Sequence, residues 1–335
     1  MNIHELSHYL NVPRDIVIVS HRNPDGDAVR SSLALGRLLR KAGHTVQMIM
    51  PSEFPPIFNW MPDIDRVWIY DHRPDDAIKA IQKASLIVML DFNSLDRIDR
   101  MGEEIHHLTD TRTVLIDHHL DPEPIADLMF TEVEASSTSE LVFDFIREAG
   151  WLSQVDLEVA TSLMTGILTD TGSFKYNTRA VLFHKVADLL GYGIDLNELQ
   201  IRIFNTLPVK FLRLLGYCLH RRMEILEEYH TGIITLSKED YERFDIQRGD
   251  TEGIVNYLLM LQQVKFAILI TEQPTIIKLS FRSKGDFSVQ EFARDHFKGG
   301  GHRNASGGAI YGTLSKTVKK VKSLLPQYAQ SLKSA

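Results

Sequence analysis

Residues 15–27 read Asp-Ile-Val-Ile-Val-Ser-His-Arg-Asn-Pro-Asp-Gly-Asp. The run Ile16-Val17-Ile18-Val19 has the pattern of a buried strand. Behind it, Pro24 and Gly26 shape a turn, and from Val29 to Ala42 apolar residues recur at helical spacing (Leu33, Leu35, Leu38, Leu39) until Gly43. Strand-like runs return at Val46–Met50, Val67–Tyr70, Leu86–Leu90 and Val114–Ile116, with helical segments at Asp75–Lys83, Ser139–Ala149 and Leu157–Leu168. This alternation predicts an α/β domain, a mostly parallel sheet with helices on both faces. Functional residues of such sheets gather at the carboxyl ends of the strands.

From Leu196 to Met223 the pattern is mostly helical, broken at Pro208. Beyond it the character changes, with strand patterns at Gly232–Leu236, Phe266–Thr271 and Thr275–Phe281 and helices near Glu252–Leu261, Val289–His296 and Leu314–Leu325. A smaller α+β domain is expected there, with a cleft between the two. The expected boundaries are 1–194, a helical connector 195–223, and 224–335, in keeping with two domains for 335 residues.

Composition is ordinary for a globular chain, with 44% hydrophobic and 24% charged residues, which excludes a disordered, collagenous or disulfide-stapled protein. The single cysteine, Cys218, offers neither an internal disulfide nor a thiolate zinc site. No apolar stretch approaches the roughly 20 residues that span a bilayer, and the first residues lack the apolar core of a leader, so a cytoplasmic protein without a membrane role is expected. The net charge of -7 hides a split: residues 1–195 carry -13 and residues 196–335 carry +6. Opposite signs suggest domains with different jobs.

The turn after the first strand holds His21, Asp25 and Asp27, an imidazole and two carboxylates, a mixture that suits Mn²⁺ or a related divalent ion. Taken alone, the loop reads equally well as a polar turn with an Asp N-cap. The arrangement repeats: Leu86–Leu90 runs into Asp91, and Val114–Ile116 into Asp117-His118-His119. A lone carboxylate such as Asp91 is more often a cap, but three strands ending in Asp or His are hard to explain by capping. Asp170 extends the series at the end of a largely apolar helical run, where its structural reading is a helix stop before Gly172. In the second half, Gly299-Gly300-Gly301-His302-Arg303-Asn304-Ala305-Ser306-Gly307-Gly308 is a glycine-rich run. Successive glycines let backbone N–H groups converge on an anion, and His302 and Arg303 add charge and hydrogen bonds. Ser137-x-x-Glu140 is a capping-box pattern whose helix start could point at the site or simply begin a core helix, the second being the favoured reading, and His106-His107 is a surface pair.

His21-x-x-x-Asp25-x-Asp27, Asp91, Asp117-His118-His119 and Asp170, in this order, resemble the four motifs of the DHH phosphoesterases over roughly residues 16–175, and the glycine-rich run resembles the GGGH loop of the DHH-associated domain. The resemblance implies a metal-binding catalytic domain at 1–194 and a substrate-binding domain at 224–335 that close on one another. It implies two divalent ions, with Mn²⁺ favoured: His21, Asp25 and Asp91 would hold one, and Asp27, Asp91, His118 and Asp170 the other, Asp91 bridging. A water shared by the ions, acidified by both, would attack phosphorus in line. His118, His119 and Asp91 are the implied catalytic residues, with His119 facing the substrate phosphate and Asp117 orienting a neighbouring histidine. Arg282, Gly300, Gly301, His302 and Arg303 would bind substrate.

One position departs from the family pattern. Where a glycine normally precedes Ser31, this chain has Arg30, which would either crowd the site and blunt it or reach out to an anionic substrate. Chain length and the two-domain layout look most like the nanoRNase branch, which implies hydrolysis of short RNA oligonucleotides to mononucleotides and of 3′-phosphoadenosine 5′-phosphate to AMP. A cyclic or linear dinucleotide phosphodiesterase, a pyrophosphate or polyphosphate hydrolase and a silent nucleotide-binding module stay open, as does a homodimer. Long nucleic acids demand an extended basic surface, whereas net acidity is compatible with short oligomers and nucleotides as partners.

Overall fold

The β-branched run Ile16–Val19 lies inside β1 (Asp15–Ser20), whose last five residues are buried. The computed structural model describes residues 1–247 and 249–334, in two units, Met1–Thr206 and the residues from Leu207 on. The first unit runs α1 (Ile3–Tyr9), β1, α2 (Gly26–Lys41), β2 (Thr45–Met50), β3 (Val67–Ile69), α3 (Pro74–Lys83), β4 (Leu86–Leu90), α4 (Arg100–His106), β5 (Arg112–Asp117), β6 (Leu128–Thr131), α5 (Thr138–Glu148), α6 (Leu157–Asp170), α7 (Ala180–Leu190) and α8 (Leu196–Phe204). Its six strands pair in the order β3-β2-β1-β4-β5-β6, every pair parallel. Alternate side chains divide between two cores: Ile16, Ile18, Val88 and Ile116 pack with α2, α5 and α6, while Val17, Val19, Met89 and Leu115 pack with α3 and α4. Strand order reverses between β1 and β4, the place where open α/β sheets leave a crevice at their carboxyl edge.

The second unit contains α9 (Val209–Tyr217), β7 (Met223–Leu226), β8 (Thr231–Leu236), α10 (Lys238–Phe244), α11 (Ile254–Leu259), β9 (Phe266–Glu272), β10 (Ile277–Ser283), α12 (Val289–Phe297), β11 (Gly300–His302), β12 (Ala305–Ile310) and α13 (Leu314–Ser334). Its sheet, ordered β11-β12-β10-β9-β8-β7, is antiparallel except for β8 with β9. Among the described residues, no helix is long and apolar enough to cross a membrane.

The helical stretch 195–223 divides between the units: Leu199 and Ile203 of α8 join the core of the first, and Phe211, Leu214 and Leu215 of α9 a core of the second. Pro326 lies inside α13 rather than ending it, because burial of Leu325 and Leu332 on either side carries the helix onward. The glycine-rich run is not the open loop its composition suggests. It forms the hairpin β11–β12, with Gly300 opposite Gly307 and His302 opposite Ala305. Its glycines serve close packing: a Cβ on Gly299 would meet the Gly307 carbonyl oxygen at 2.0 Å.

Helices α2, α5 and α6 converge behind the ends of β1 and β4. A Cβ on Gly166 of α6 would lie 1.9 Å from Ser139 Oγ and 2.6 Å from Asp27 Oδ1. Gly166→Ala is therefore expected to lower unfolding free energy by about 1–3 kcal/mol in urea titrations. Gly216→Ala in α9, whose Cβ meets nothing within 4 Å, should instead gain roughly 0.5–1 kcal/mol. Equal midpoints for the two variants would contradict the close approach at Gly166.

Candidate active site

Register aligns the chemistry. Ser20 pairs with Leu90, and Leu90 with Ile116, so His21, Asp91 and Asp117 leave their strands side by side. Asp91 then takes a left-handed backbone, φ +67°, with its N–H still bonded to the Ile116 carbonyl at 3.1 Å. Aspartate tolerates that region better than bulky residues do. Asp25 caps α2, its Oδ1 accepting from the N–H groups of Asp27 and Ala28, so its capping and its candidate ligand role coexist.

Three triads of donor atoms share Asp91: His21, Asp25 and Asp91; Asp27, Asp91 and His118; and Asp91, Asp117 and His119, each with its donors within 4.8 Å of one another. His21 Nε2 lies 3.5 Å from Asp91 Oδ2 and 3.9 Å from Asp25 Oδ2. His118 Nε2 lies 3.7 Å from Asp91 Oδ1 and 3.4 Å from Asp170 Oδ2, which brings Asp170 to the second triad. Both rings are turned by their other nitrogen: Nδ1 of His21 meets the Arg22 carbonyl at 3.0 Å, and Nδ1 of His118 the Ala135 carbonyl at 3.1 Å. A proton on Nδ1 leaves the Nε2 lone pair toward the carboxylates. Asp117 stands behind His119, Oδ1 to Nδ1 at 2.7 Å and Oδ2 accepting the His119 N–H at 3.2 Å.

The amino terminus of α5 completes the site, the less favoured of the two readings the sequence leaves open for it. Thr138 and Ser139 donate their N–H groups to the two oxygens of Asp27, at 2.6 and 3.0 Å, and Thr138 Oγ1 donates to Asp91 Oδ1 at 2.9 Å. The pattern Ser137-x-x-Glu140 signals a helix start, and Ser137 Oγ does accept the Glu140 N–H. It carries no sign that the start faces a carboxylate 111 residues earlier in the chain. The helix dipole and these two N–H groups favour a negative charge at Asp27.

Electrostatics make this a cation site. Burial, then the neighbouring carboxylates, hold Asp91 well above the ordinary range. Burial raises Asp27 as well and pushes Asp170 up to about 8. Burial disfavours a charged His118, yet Asp170, Asp91 and Asp27 outweigh it and push that ring up to about 9. Burial and the charges of His118 and Arg97 hold His119 well below the usual histidine value. Among the described residues, the basic groups within 4 Å of the Asp25, Asp91 and Asp170 carboxylates are imidazoles. Buried carboxylates so close together ionise only with added positive charge, and an oxygen–imidazole donor set fits hard or borderline divalent ions.

Comparison with known proteins agrees with this geometry. The model of the DHH family N-terminal domain matches residues 15–167, and that of the DHHA1 domain residues 226–331. An exopolyphosphatase-related protein from Bacteroides fragilis, known as a crystal structure, is 39% identical with a TM-score of 0.94, covering 99% of this chain and 97% of that one. The chain belongs to the DHH phosphoesterase family. The bifunctional oligoribonuclease and PAP phosphatase NrnA of Thermus thermophilus is 28% identical over 302 residues, 89% of this chain and 84% of NrnA. The cyclic-di-AMP phosphodiesterase PdeA of Listeria monocytogenes is 27% identical over 327 residues, 93% of this chain but 47% of PdeA.

In the DHHA1 domain the hairpin aligns two of the expected substrate residues. His302 pairs with Ala305, and Ala305 with Arg282, so His302 and Arg282 lie in one cross-strand row on the same face of the sheet, opposite the face of Phe281. Arg282 also donates to the Phe281 carbonyl, and Arg303, at the hairpin tip, pairs with Asp286 at 3.2 Å. Gly300 and Gly301 are ladder residues of β11, and Gly301 needs its φ of +136° because a Cβ would meet the Ala305 carbonyl oxygen at 2.7 Å. His106 and His107 are exposed at the end of α4.

The structure speaks against an outward-reaching Arg30. It is fully buried on α2, its guanidinium carbon 4.6 Å from the Phe58 ring centroid and 5.1 Å from that of Trp60. The reason lies in the segment after β2, which folds over α2 and covers that face with aromatic rings. A side chain so enclosed does not reach toward an approaching anion. Its Nε and Nη1 have no hydrogen-bond partner among the described residues, and burial lowers its pKa to about 9. Arg30→Met should therefore hold or raise stability, by up to about 2 kcal/mol, since a buried charge without an acceptor is replaced by an apolar chain of similar reach. A loss above roughly 1 kcal/mol in urea titrations would show that the guanidinium is held by more than the two rings.

Proton linkage gives a second test. Asp170 and His118 rise from ordinary values of 3.8 and 6.5 to about 8 and about 9, so the folded chain binds both protons more tightly than the unfolded chain. Each contribution is complete below the unfolded value and is lost as pH rises through the folded one. With a chelator present, unfolding free energy should fall from about pH 6 to about pH 9, and a saturating divalent ion should flatten that fall. Stability that is level or rising across the window with chelator counts against the electrostatics described.

Proposed function

We propose that this chain is a divalent-metal phosphoesterase that hydrolyses short RNA oligonucleotides to mononucleotides and 3′-phosphoadenosine 5′-phosphate to AMP, with Mn²⁺ as its preferred ion. The observation that carries the reading is the meeting at Asp91 of two donor triads, His21–Asp25–Asp91 and Asp27–Asp91–His118, beside adjacent strand ends. His21, Asp25 and Asp91 would hold one ion, and Asp27, Asp91, His118 and Asp170 a second. Two such ions, when bound, supply Lewis acidity toward a phosphoryl group and lower the pKa of water.

The protein's own groups do the rest. Asp117 fixes the His119 ring through Nδ1, which makes Nε2 the atom at which a proton would be held or exchanged on the substrate side. The Ala135 carbonyl and the α5 amino terminus keep His118 and Asp27 oriented, so that little rearrangement is needed when substrate arrives. Arg282, Gly300, Gly301, His302 and Arg303 are assigned to the substrate, with Arg282 and His302 aligned for phosphate contacts. A small target suits the charge distribution, since a few basic residues in the positive half can grip one or two phosphates without a long basic track. The likeness to NrnA favours this substrate class, and the likeness to PdeA favours a cyclic dinucleotide as the second choice.

The test is a panel with Mn²⁺ or Mg²⁺: dinucleotides, longer RNA, 3′-phosphoadenosine 5′-phosphate, cyclic di-AMP and pyrophosphate. Release of mononucleotides from dinucleotides and of AMP from 3′-phosphoadenosine 5′-phosphate is expected, and Asp91→Asn should reduce both by at least about a hundredfold, more than outer hydrogen-bond partners usually cost. Turnover of cyclic di-AMP alone selects the second choice. No turnover of any substrate, or an Asp91→Asn variant as active as wild type, sinks the reading.

A further inference from the structure

The turn from Ala135 to Ser139 has two faces. Toward the site, the Ala135 carbonyl meets His118 Nδ1 at 3.1 Å, Thr138 and Ser139 give their N–H groups to Asp27, and Thr138 Oγ1 bonds Asp91. The groups that orient three of the proposed ligands thus come from one five-residue stretch. Away from the site, the same turn is gripped by Glu140. Its Oε2 accepts the Ser136 N–H at 2.7 Å, and its Oε1 accepts from Lys185 Nζ of α7 at 2.5 Å. Lys185 also donates to Asp144, and Arg179 Nη2 lies 3.9 Å from Glu140 Oε1.

Several details set this apart from an ordinary helix cap. In a capping box the glutamate reaches back to the N–H of the cap residue, which here would be Ser137; Glu140 reaches one residue further, to Ser136, the link between the Ala135 carbonyl and the helix. Glu140 is fully buried and Lys185 nearly so. Burial alone would raise the Glu140 carboxyl, but the hydrogen bond from Lys185 and the Ser136 N–H outweigh it and hold it below the usual range. A carboxylate with one oxygen bonded to Lys185 presents the other in a single direction, because a fully satisfied buried network is rigid. Asn177 adds a smaller clamp, its Nδ2 donating to the same Ala135 carbonyl at 3.0 Å.

We infer that Glu140, pinned by Lys185, is the positioning residue that sets the 135–139 turn against His118, Asp27 and Asp91, and so sets the site's affinity for divalent ions. Neither residue is among the proposed ligands. The inference rests on the reading of the site as a metal centre and assigns its preorganisation to a buried ion pair on the far side of the turn.

The experiment uses the full chain as Glu140→Ala, Glu140→Gln and Lys185→Met, with Mn²⁺ affinity measured by calorimetry beside turnover and circular dichroism. Glu140→Ala loses the acceptor for Ser136 and should bind Mn²⁺ about tenfold more weakly, with kcat falling while KM changes little. Glu140→Gln keeps one oxygen for that N–H but sets its amide NH2 against Lys185, so it should recover only part of the loss, and Lys185→Met, which leaves both oxygens, should also fall between wild type and Glu140→Ala. A merely structural role would lower the melting temperature and leave the Mn²⁺ affinity of the folded fraction unchanged. Wild-type Mn²⁺ affinity in folded Glu140→Ala, or Glu140→Gln as impaired as Glu140→Ala, overturns the inference. Where Glu140→Ala does not fold, Lys185→Met decides: wild-type affinity overturns the inference, and weakened affinity in a folded variant supports it. A wild-type chain that takes up no divalent ion overturns the reading of the site itself, a result distinct from all of these.

Discussion

Carboxylates repel one another, and in a buried site the repulsion is not relieved by water. Asp27, Asp91 and Asp170 are all raised by burial, and they are held close enough that Asp27 further raises both Asp91 and Asp170, and Asp170 raises Asp91; much of the first unit serves to keep them there. Asp27 is anchored by the first N–H groups of α5, and Asp91 by its Ile116 bond and a left-handed backbone. Asp170 sits at the last position of α6. Such an assembly is strained without cations and relaxed with them, which ties the stability of the DHH domain to its ligands.

The supporting groups differ in kind from the ligands. The imidazoles and carboxylates come from strand ends and one helix end, and their chemistry is written in their residue types. The groups that aim them are backbone: the Arg22 and Ala135 carbonyls and the N–H groups of Thr138 and Ser139. A carbonyl has the same chemistry whatever side chain it carries, so a change at these positions acts through the path of the chain and not through lost functional groups.

That distinction explains what could be read from the amino-acid order. The buried strands β1, β4 and β5 and the polar residues at their ends stand out together, because one apolar run that stops at Asp or His is commonly a cap but three in one chain are hard to explain by capping. The short β6, with every residue half-buried, carries no such contrast and was not foreseen. The pattern at Ser137–Glu140 leaves open whether Thr138 and Ser139 face the site, because a capping pattern tells where a helix begins and not what it faces. The glycine-rich run was recognised for its residues but not its shape, because glycine serves an open nest and a tight hairpin equally. The enclosure of Arg30 is not legible for a similar reason: the rings that cover it come from Phe58 and Trp60, roughly thirty residues further on, and only folding brings them there.

The alignment of Ser20, Leu90 and Ile116 across three parallel strands has an evolutionary consequence. Neighbouring strands in a ladder sit about 4.8 Å apart, so the sheet acts as a ruler for the spacing between His21, Asp91 and Asp117. Loops at the opposite edge can lengthen or shorten without disturbing that spacing. Loss of one residue inside Leu86–Leu90 would draw Asp91 back by about 3.3 Å and turn it to the other face of the sheet. Length variation among relatives should therefore collect at the amino-terminal edge and leave these three strands untouched.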